Sequence, residues 1–188
     1  MDCFDESGAD IDCRGTGQDG ELRSGNEWPD PRFTLNVNPA DDDGSDGGIP
    51  ENGICDGAEI CNGTVTDNLT GLIWLQSANC FGVRDWIIAL NDAANLDTGE
   101  CGLNDGSAAG NWRLPQIHEL QSLIDYGRSY PALPADHPFF NVQLSNYWSS
   151  TTFVHDPGAA WMVSLATGGV NGSYKSGLIF VWPVRSDR

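Results

Sequence analysis

The sequence predicts an α+β domain in which two short helices accompany a set of short strands, and three observations carry that reading. First, Ile117, Leu120, Leu123 and Ile124 recur at helical spacing behind Pro115, and Gly127 follows where a stop is expected. Second, the chain beyond residue 145 breaks into short β-branched and aromatic runs, Tyr147 to Thr152, Ala160 to Leu165 and Leu178 to Val184. Third, 23 glycines in 188 residues leave few segments long enough for more helix, so turns and irregular structure fill the rest.

Taken in order, residues 1–35 show no periodicity and read as an arm tied by cysteines. Residues 36–63 are the most irregular stretch, centred on the Asp41–Gly47 run. Thr64 to Asp67 and Leu72 to Leu75 read as two strands joined by a turn at Asn68–Gly71. Asp85 suits the N-cap of a first helix with Trp86, Leu90, Ala93 and Ala94 on one face and Ile87 beside them. Pro115 suits the first turn of the second helix, Gln116 to Tyr126, because a missing N–H there costs nothing. In the strand from Ala160, Trp161, Val163 and Leu165 alternate with Met162, Ser164 and Ala166, so the first set is expected inside and the second outside. Thr167 to Gly177 reads as a Gly/Asn/Ser-rich turn region. One domain, residues 64–188, therefore follows an acidic N-terminal arm, residues 1–63.

The net charge of −18 is concentrated in that arm, where residues 1–63 hold 16 acidic and 3 basic side chains. Nucleic acid and anionic membrane are poor partners for such a surface, because neutralising phosphates needs clustered Lys and Arg. No apolar run approaches a membrane span, so no membrane insertion is expected, and no signal peptide is read in this chain. The acidity serves solubility or offers oxygen ligands to a divalent cation. Asp41, Asp43 and Asp46, spaced around glycines, are the candidate calcium ligands, although the EF-hand register fails. No cofactor is required by this reading.

Six cysteines, Cys3, Cys13, Cys55, Cys61, Cys80 and Cys101, include no C-x-x-C pair and point to disulfides in an oxidising compartment. Nearest-neighbour pairing (3–13, 55–61, 80–101) closes three local loops and is the expected connectivity. Enzymatic constellations are absent from the sequence. His118-Glu119 lacks the second His of a zinc helix, where Ser122 stands, and no Gly-x-Ser-x-Gly elbow accompanies His155-Asp156. His137, ahead of Pro138, reads as structural. Asn62, Asn68 and Asn171 head glycosylation sequons.

Several separated motifs resemble one family. They are Thr64 to Trp74, Cys80, Cys101-Gly102-Leu103, Asn111-Trp112-Arg113-Leu114-Pro115, Glu119 to Asp125, Tyr147 to Thr152 and Val181-Trp182-Pro183-Val184-Arg185. In that order and spacing they resemble the Lcl C-terminal domain family, and the cysteine arm resembles the extension of many members. Residues 36–63 depart from the pattern as an acidic insertion. The resemblance implies a C-type-lectin-like fold, two helices packed on small antiparallel sheets with extensive loops. It also implies exported or cell-surface proteins of bacteria, some adhesins towards host or matrix glycans and some diversified ligand-binding proteins.

The expected function is therefore non-catalytic recognition of an extracellular glycan or surface protein, in a secreted, cell-surface or periplasmic protein. The expected binding residues are Phe153, His155, Asp156, Met162, Ser164, Asn171, Ser173, Tyr174 and Phe180, from the last strands and loops: rings give contact area at low entropy cost and short polar groups give hydrogen bonds. Trp74, Trp112, Trp148 and Trp182 are expected in the core. Two alternatives stay open: a structural subunit of an extracellular assembly, with homo-oligomerisation, and an oxidative enzyme of the formylglycine-generating type, which would need Cys80 and Cys101 as reactive thiols.

Overall fold

A computed structural model describes residues 3–5, 7–12, 14, 28–37 and 61–186, with the side chains of Cys3 and Phe4 excepted. The expectations for Cys3 pairing with Cys13, for Cys55, and for Asp41, Asp43 and Asp46 lie outside the described residues. The elements are β1 (Cys3–Phe4), β2 (Asp10–Ile11), β3 (Phe33–Val37), β4 (Cys61–Asp67), β5 (Leu72–Leu75), β6 (Val83–Arg84), α1 (Trp86–Asn95), α2 (Ile117–Ser122), β7 (Asn146–Thr152), β8 (Ala159–Ser164), β9 (Val170–Tyr174), β10 (Ile179–Phe180) and β11 (Val184–Ser186). Two sheets dominate, one of five strands in the order β6-β10-β7-β8-β9 and one of four in the order β11-β5-β4-β3; β1 and β2 form a separate pair. The architecture is α+β.

The four-stranded sheet grows from the Asp67 turn. Asp67 accepts from the Leu69 N–H at 2.9 Å and the Thr70 hydroxyl at 2.7 Å, and Gly71 takes φ +71° to bring β5 back along β4. β3 then adds to the far side of β4, pairing Phe33 with Asp67 and Leu35 with Val65. Phe33 and Leu35 are buried in the core, so the sheet takes a strand from the stretch read as an arm. Arg32 anchors that strand: its guanidinium donates to both Asp67 oxygens at 2.8 and 3.0 Å and to the Ser122 carbonyl at 2.9 Å.

Two hydrophobic clusters share the interior. The larger lies between the sheets and contains Trp74, Trp112, Tyr147, Val163, Leu165 and Trp182, with Ile117, Leu120, Leu123 and Ile124 of the α2 region. The smaller lies under α1 and holds Ala89, Ala93, Leu114, Trp148, Ala160, Ile179 and Val181. All four expected core tryptophans are fully buried, and the Trp182 indole donates to the Leu75 carbonyl at 2.7 Å. Burial pushes the Tyr147 hydroxyl up to about 12, against a hydrogen bond from the Gln143 N–H.

Several elements differ from their sequence reading. α2 starts at Ile117 with Gln116 as N-cap, so Pro115 precedes the helix and its carbonyl accepts from the Ser150 N–H at 2.8 Å. It ends by Leu123, because Asp125 turns away to donate to the Ala132 carbonyl at 3.0 Å. In α1, Asp85 caps as expected, accepting from the Ile88 N–H, but Ala89 and Ala93 form the buried face while Ile87 and Ala94 are exposed. The strand read from Leu178 to Val184 is two strands in different sheets. Pro183 lacks an N–H for a ladder, and there the chain crosses from β10 beside β7 to β11 beside β5.

Candidate functional site

The stretch Thr167 to Gly177, read as turns, contains β9, the outer strand of the five-stranded sheet. It pairs antiparallel with β8, placing Trp161 opposite Gly172, Met162 opposite Asn171 and Ala160 opposite Ser173. Residues opposite each other share a face and successive residues alternate, so the register divides the expected binding residues between two faces. Met162, Ser164, Asn171 and Ser173 lie on the face that also carries Trp148, opposite Met162 in β7. Tyr174, Gly172 and Trp161 lie on the other.

On the second face an aromatic group closes over the glycine. The Phe153 ring meets the Trp161 ring edge-on at 4.7 Å between centroids, and His155 stands 5.7 Å from Phe153. A Cβ on Gly172 would touch the Phe153 ring at 3.5 Å, so the strand and ring are in close contact there. Tyr174 is exposed beyond them. Asp156 holds its own loop, accepting from the Gly158 N–H at 2.9 Å. Phe180 packs against Tyr147 at 5.5 Å, with β7 and β8 between it and β9. Asp156 and Phe180 are both half-buried.

The first face is covered on one side by α1, which packs against β6 and β7. Trp161, expected inside, is only half-buried; Met162 and Ala166, expected outside, are respectively packed against the smaller cluster and buried. Both faces of β8 meet a core, which is why strict in–out alternation fails there. What stays accessible is a shelf of Ser164, Met162, Asn171 and Ser173, half-buried except for the exposed Asn171.

The sequence reading missed three residues at the end of this shelf. Lys175, the chain's only lysine, places its ammonium 4.0 Å from the centre of the Trp86 ring and donates to the Thr152 hydroxyl at 3.0 Å. Its backbone is held as firmly: the Lys175 N–H donates to the Gly158 carbonyl and its carbonyl accepts from the Trp86 N–H, both at 2.9 Å. The Trp86 indole in turn donates to the Ser149 carbonyl at 2.8 Å. A lone lysine inside a Gly/Ser-rich segment was the available signal.

The remaining chemistry is used by the fold. Glu119 accepts both Arg113 donors at 2.7 Å and the Gln116 N–H at 2.7 Å. Burial raises its pKa, but the Arg113 and Gln116 contacts outweigh that and hold it below the ordinary value. Cys80 and Cys101 form a disulfide, Cα atoms 5.6 Å apart, across the α1 segment, and Cys61 is also disulfide-bonded. Among the described residues no cluster of His, Cys, Asp and Glu could hold a metal ion, and no helix is long and apolar enough to cross a membrane.

No curated protein matches the chain. A family model, the Lcl C-terminal domain, matches residues 63–185, which runs from within β4 into β11 and includes the Cys80–Cys101 disulfide, both helices and the β8–β9 shelf. With about two thirds of its length inside that match, the chain belongs to the Lcl C-terminal domain family.

Proposed function

We propose that the chain is a non-catalytic recognition module of C-type-lectin-like fold, working outside the cytoplasm as an adhesin-like binder of a surface glycan or protein. The observation that carries this reading is the β8–β9 shelf. It offers a thioether, an amide and hydroxyls on a rigid sheet, with a cation at one end that the Trp86 ring and the Thr152 hydroxyl hold and that pairs with no carboxylate among the described residues. Short polar groups on a preformed surface bind with little ordering cost. The disulfides support an oxidising compartment.

The test is binding of the full chain to an array of glycans and matrix proteins, repeated with Asn171→Tyr. Asn171 is exposed on the outer strand, so the added ring covers the shelf without entering the core. A hit that falls at least tenfold in the variant, at unchanged melting temperature, supports the shelf as the binding surface. A hit that the variant leaves intact removes it.

A further inference from the structure

We infer that the shelf takes a singly charged, carboxylated sugar, and that Lys175 is its carboxylate anchor; this rests on the recognition reading above. The starting point is the disposition of positive charge. Among the described residues, Arg14, Arg32, Arg84, Arg113 and Arg185 each pair with a carboxylate of this chain. Arg128 and Lys175 do not, and Arg128 sits exposed in the loop after α2. In a protein of net charge −18, a half-buried lysine without a carboxylate partner is the exception. Asp85, the N-cap that precedes Trp86, is engaged with the Ile88 N–H.

The ammonium is held without being neutralised. An ammonium has three N–H donors; the Thr152 hydroxyl takes one and the Trp86 face attracts the charge from a second side. One donor and the full positive charge remain for an incoming acceptor. Because four contacts fix the backbone and side chain of Lys175, little freedom is lost when an anion arrives. A charge-assisted hydrogen bond at such a point is stronger than the neutral bonds the rest of the shelf can offer.

The charge count sets the ligand's valence. One cation matches one carboxylate, whereas a densely sulfated or phosphorylated polymer would meet the field of a strongly acidic molecule. Thr152 is bonded to the ammonium, and Ser173, Asn171 and Met162 lie on the same face of the sheet, so hydroxyls and an amide there match ring hydroxyls and the thioether supplies an apolar contact for a sugar C–H face. These favour a saccharide over an acidic peptide.

The experiment is titration of the full chain with 3′-sialyllactose, with a disaccharide ending in glucuronic acid, and with neutral lactose, each against wild type, Lys175→Gln, Lys175→Arg and Asn171→Tyr. Expected is binding of at least one acidic sugar tenfold or more above lactose, with the preference lost in Lys175→Gln, kept in Lys175→Arg, and weakened by raising sodium chloride. Which acidic sugar binds separates a sialylated from a uronate source. Acidic and neutral sugars bound equally, with both lost in Asn171→Tyr, overturn the anchor and leave the recognition reading standing. No saccharide bound by any form overturns the anchor, and binding to matrix proteins alone makes the shelf a protein surface. A preference unchanged in Lys175→Gln places the carboxylate elsewhere and also overturns it.

Discussion

Arg32 and Lys175 stand at opposite ends of the molecule's chemistry. Arg32 is buried at the Asp67 turn of the four-stranded sheet, with two carboxylate oxygens and a carbonyl around it. Lys175 is half-buried beyond β9, fixed by an aromatic face and a hydroxyl that leave its charge uncancelled. The first arrangement welds β3 to the body of the fold, and the one guanidinium nitrogen it leaves unpartnered, Nη1, is buried out of reach of a ligand. The second holds a side chain in position while keeping its charge available. Both cations are immobilised, and only the nature of the acceptor separates a stabilising contact from a recognition contact.

The comparison breaks most visibly at Asp67. Asp67→Ala leaves Arg32 buried without its carboxylate and frees the Leu69 N–H and the Thr70 hydroxyl. Removing one partner of a buried pair costs about 3–5 kcal/mol, so denaturant unfolding should show a loss of that order. Lys175→Gln, by contrast, loses one cation–π contact and one exposed hydrogen bond and should cost about 1 kcal/mol. Similar losses in the two variants would mean that Lys175 is a structural residue.

Gly63, at the opposite end of β4 from Asp67, tests the closed part of the fold from the backbone. Its φ is +79°, and an added Cβ would stand 2.3 Å from the Gly102 carbonyl oxygen, next to the disulfide-bonded Cys101. Left-handed geometry alone costs a non-glycine residue about 1–2 kcal/mol, and the clash with backbone adds to it. Gly63→Ala should therefore lower the melting temperature clearly, while Gly172→Ala, whose Cβ meets only the Phe153 ring at ordinary contact distance, should be milder. Equal losses would erase the distinction between a rigid closed end and a tolerant open one.

Much of the closed end was legible in the sequence and much of the open end was not, for a physical reason. Trp74, Trp112, Trp148 and Trp182, and the apolar spacing of Ile117, Leu120, Leu123 and Ile124, announce burial because large apolar side chains have few other destinations. The Asp67 turn and the Asp85 cap follow from local side-chain chemistry. β9 was invisible: Val170-Asn171-Gly172-Ser173-Tyr174 has the composition of a turn, and becomes a strand only because β8 offers its edge. β3 was hidden likewise, since Phe33 and Leu35 gain their core positions from β4, some thirty residues later. The division of the expected site over two faces follows from that missed register, and Lys175 was passed over because its value lies in Trp86, far away in sequence.

A titration separates the interior from the surface in a third way. Burial, joined by the charge of Arg128 and opposed by a hydrogen bond at the Phe139 backbone, holds His137 below its ordinary value of 6.5; its ring stacks on Phe139 at 5.9 Å. The folded state therefore binds fewer protons at this site than the unfolded chain, and the stability linked to it is present above 6.5 and lost as pH falls through the folded value. Unfolding free energy should decline on acidification in this range, before Glu119, whose pKa is held below 4.5, begins to titrate. His137→Phe should flatten that decline, because a ring of similar shape stays against Phe139 without a proton to take up. If His137→Phe leaves the decline as steep as in the wild type, the buried ring does not carry the acid sensitivity, and the division between a committed interior and an uncommitted surface fails at its smallest measurable effect.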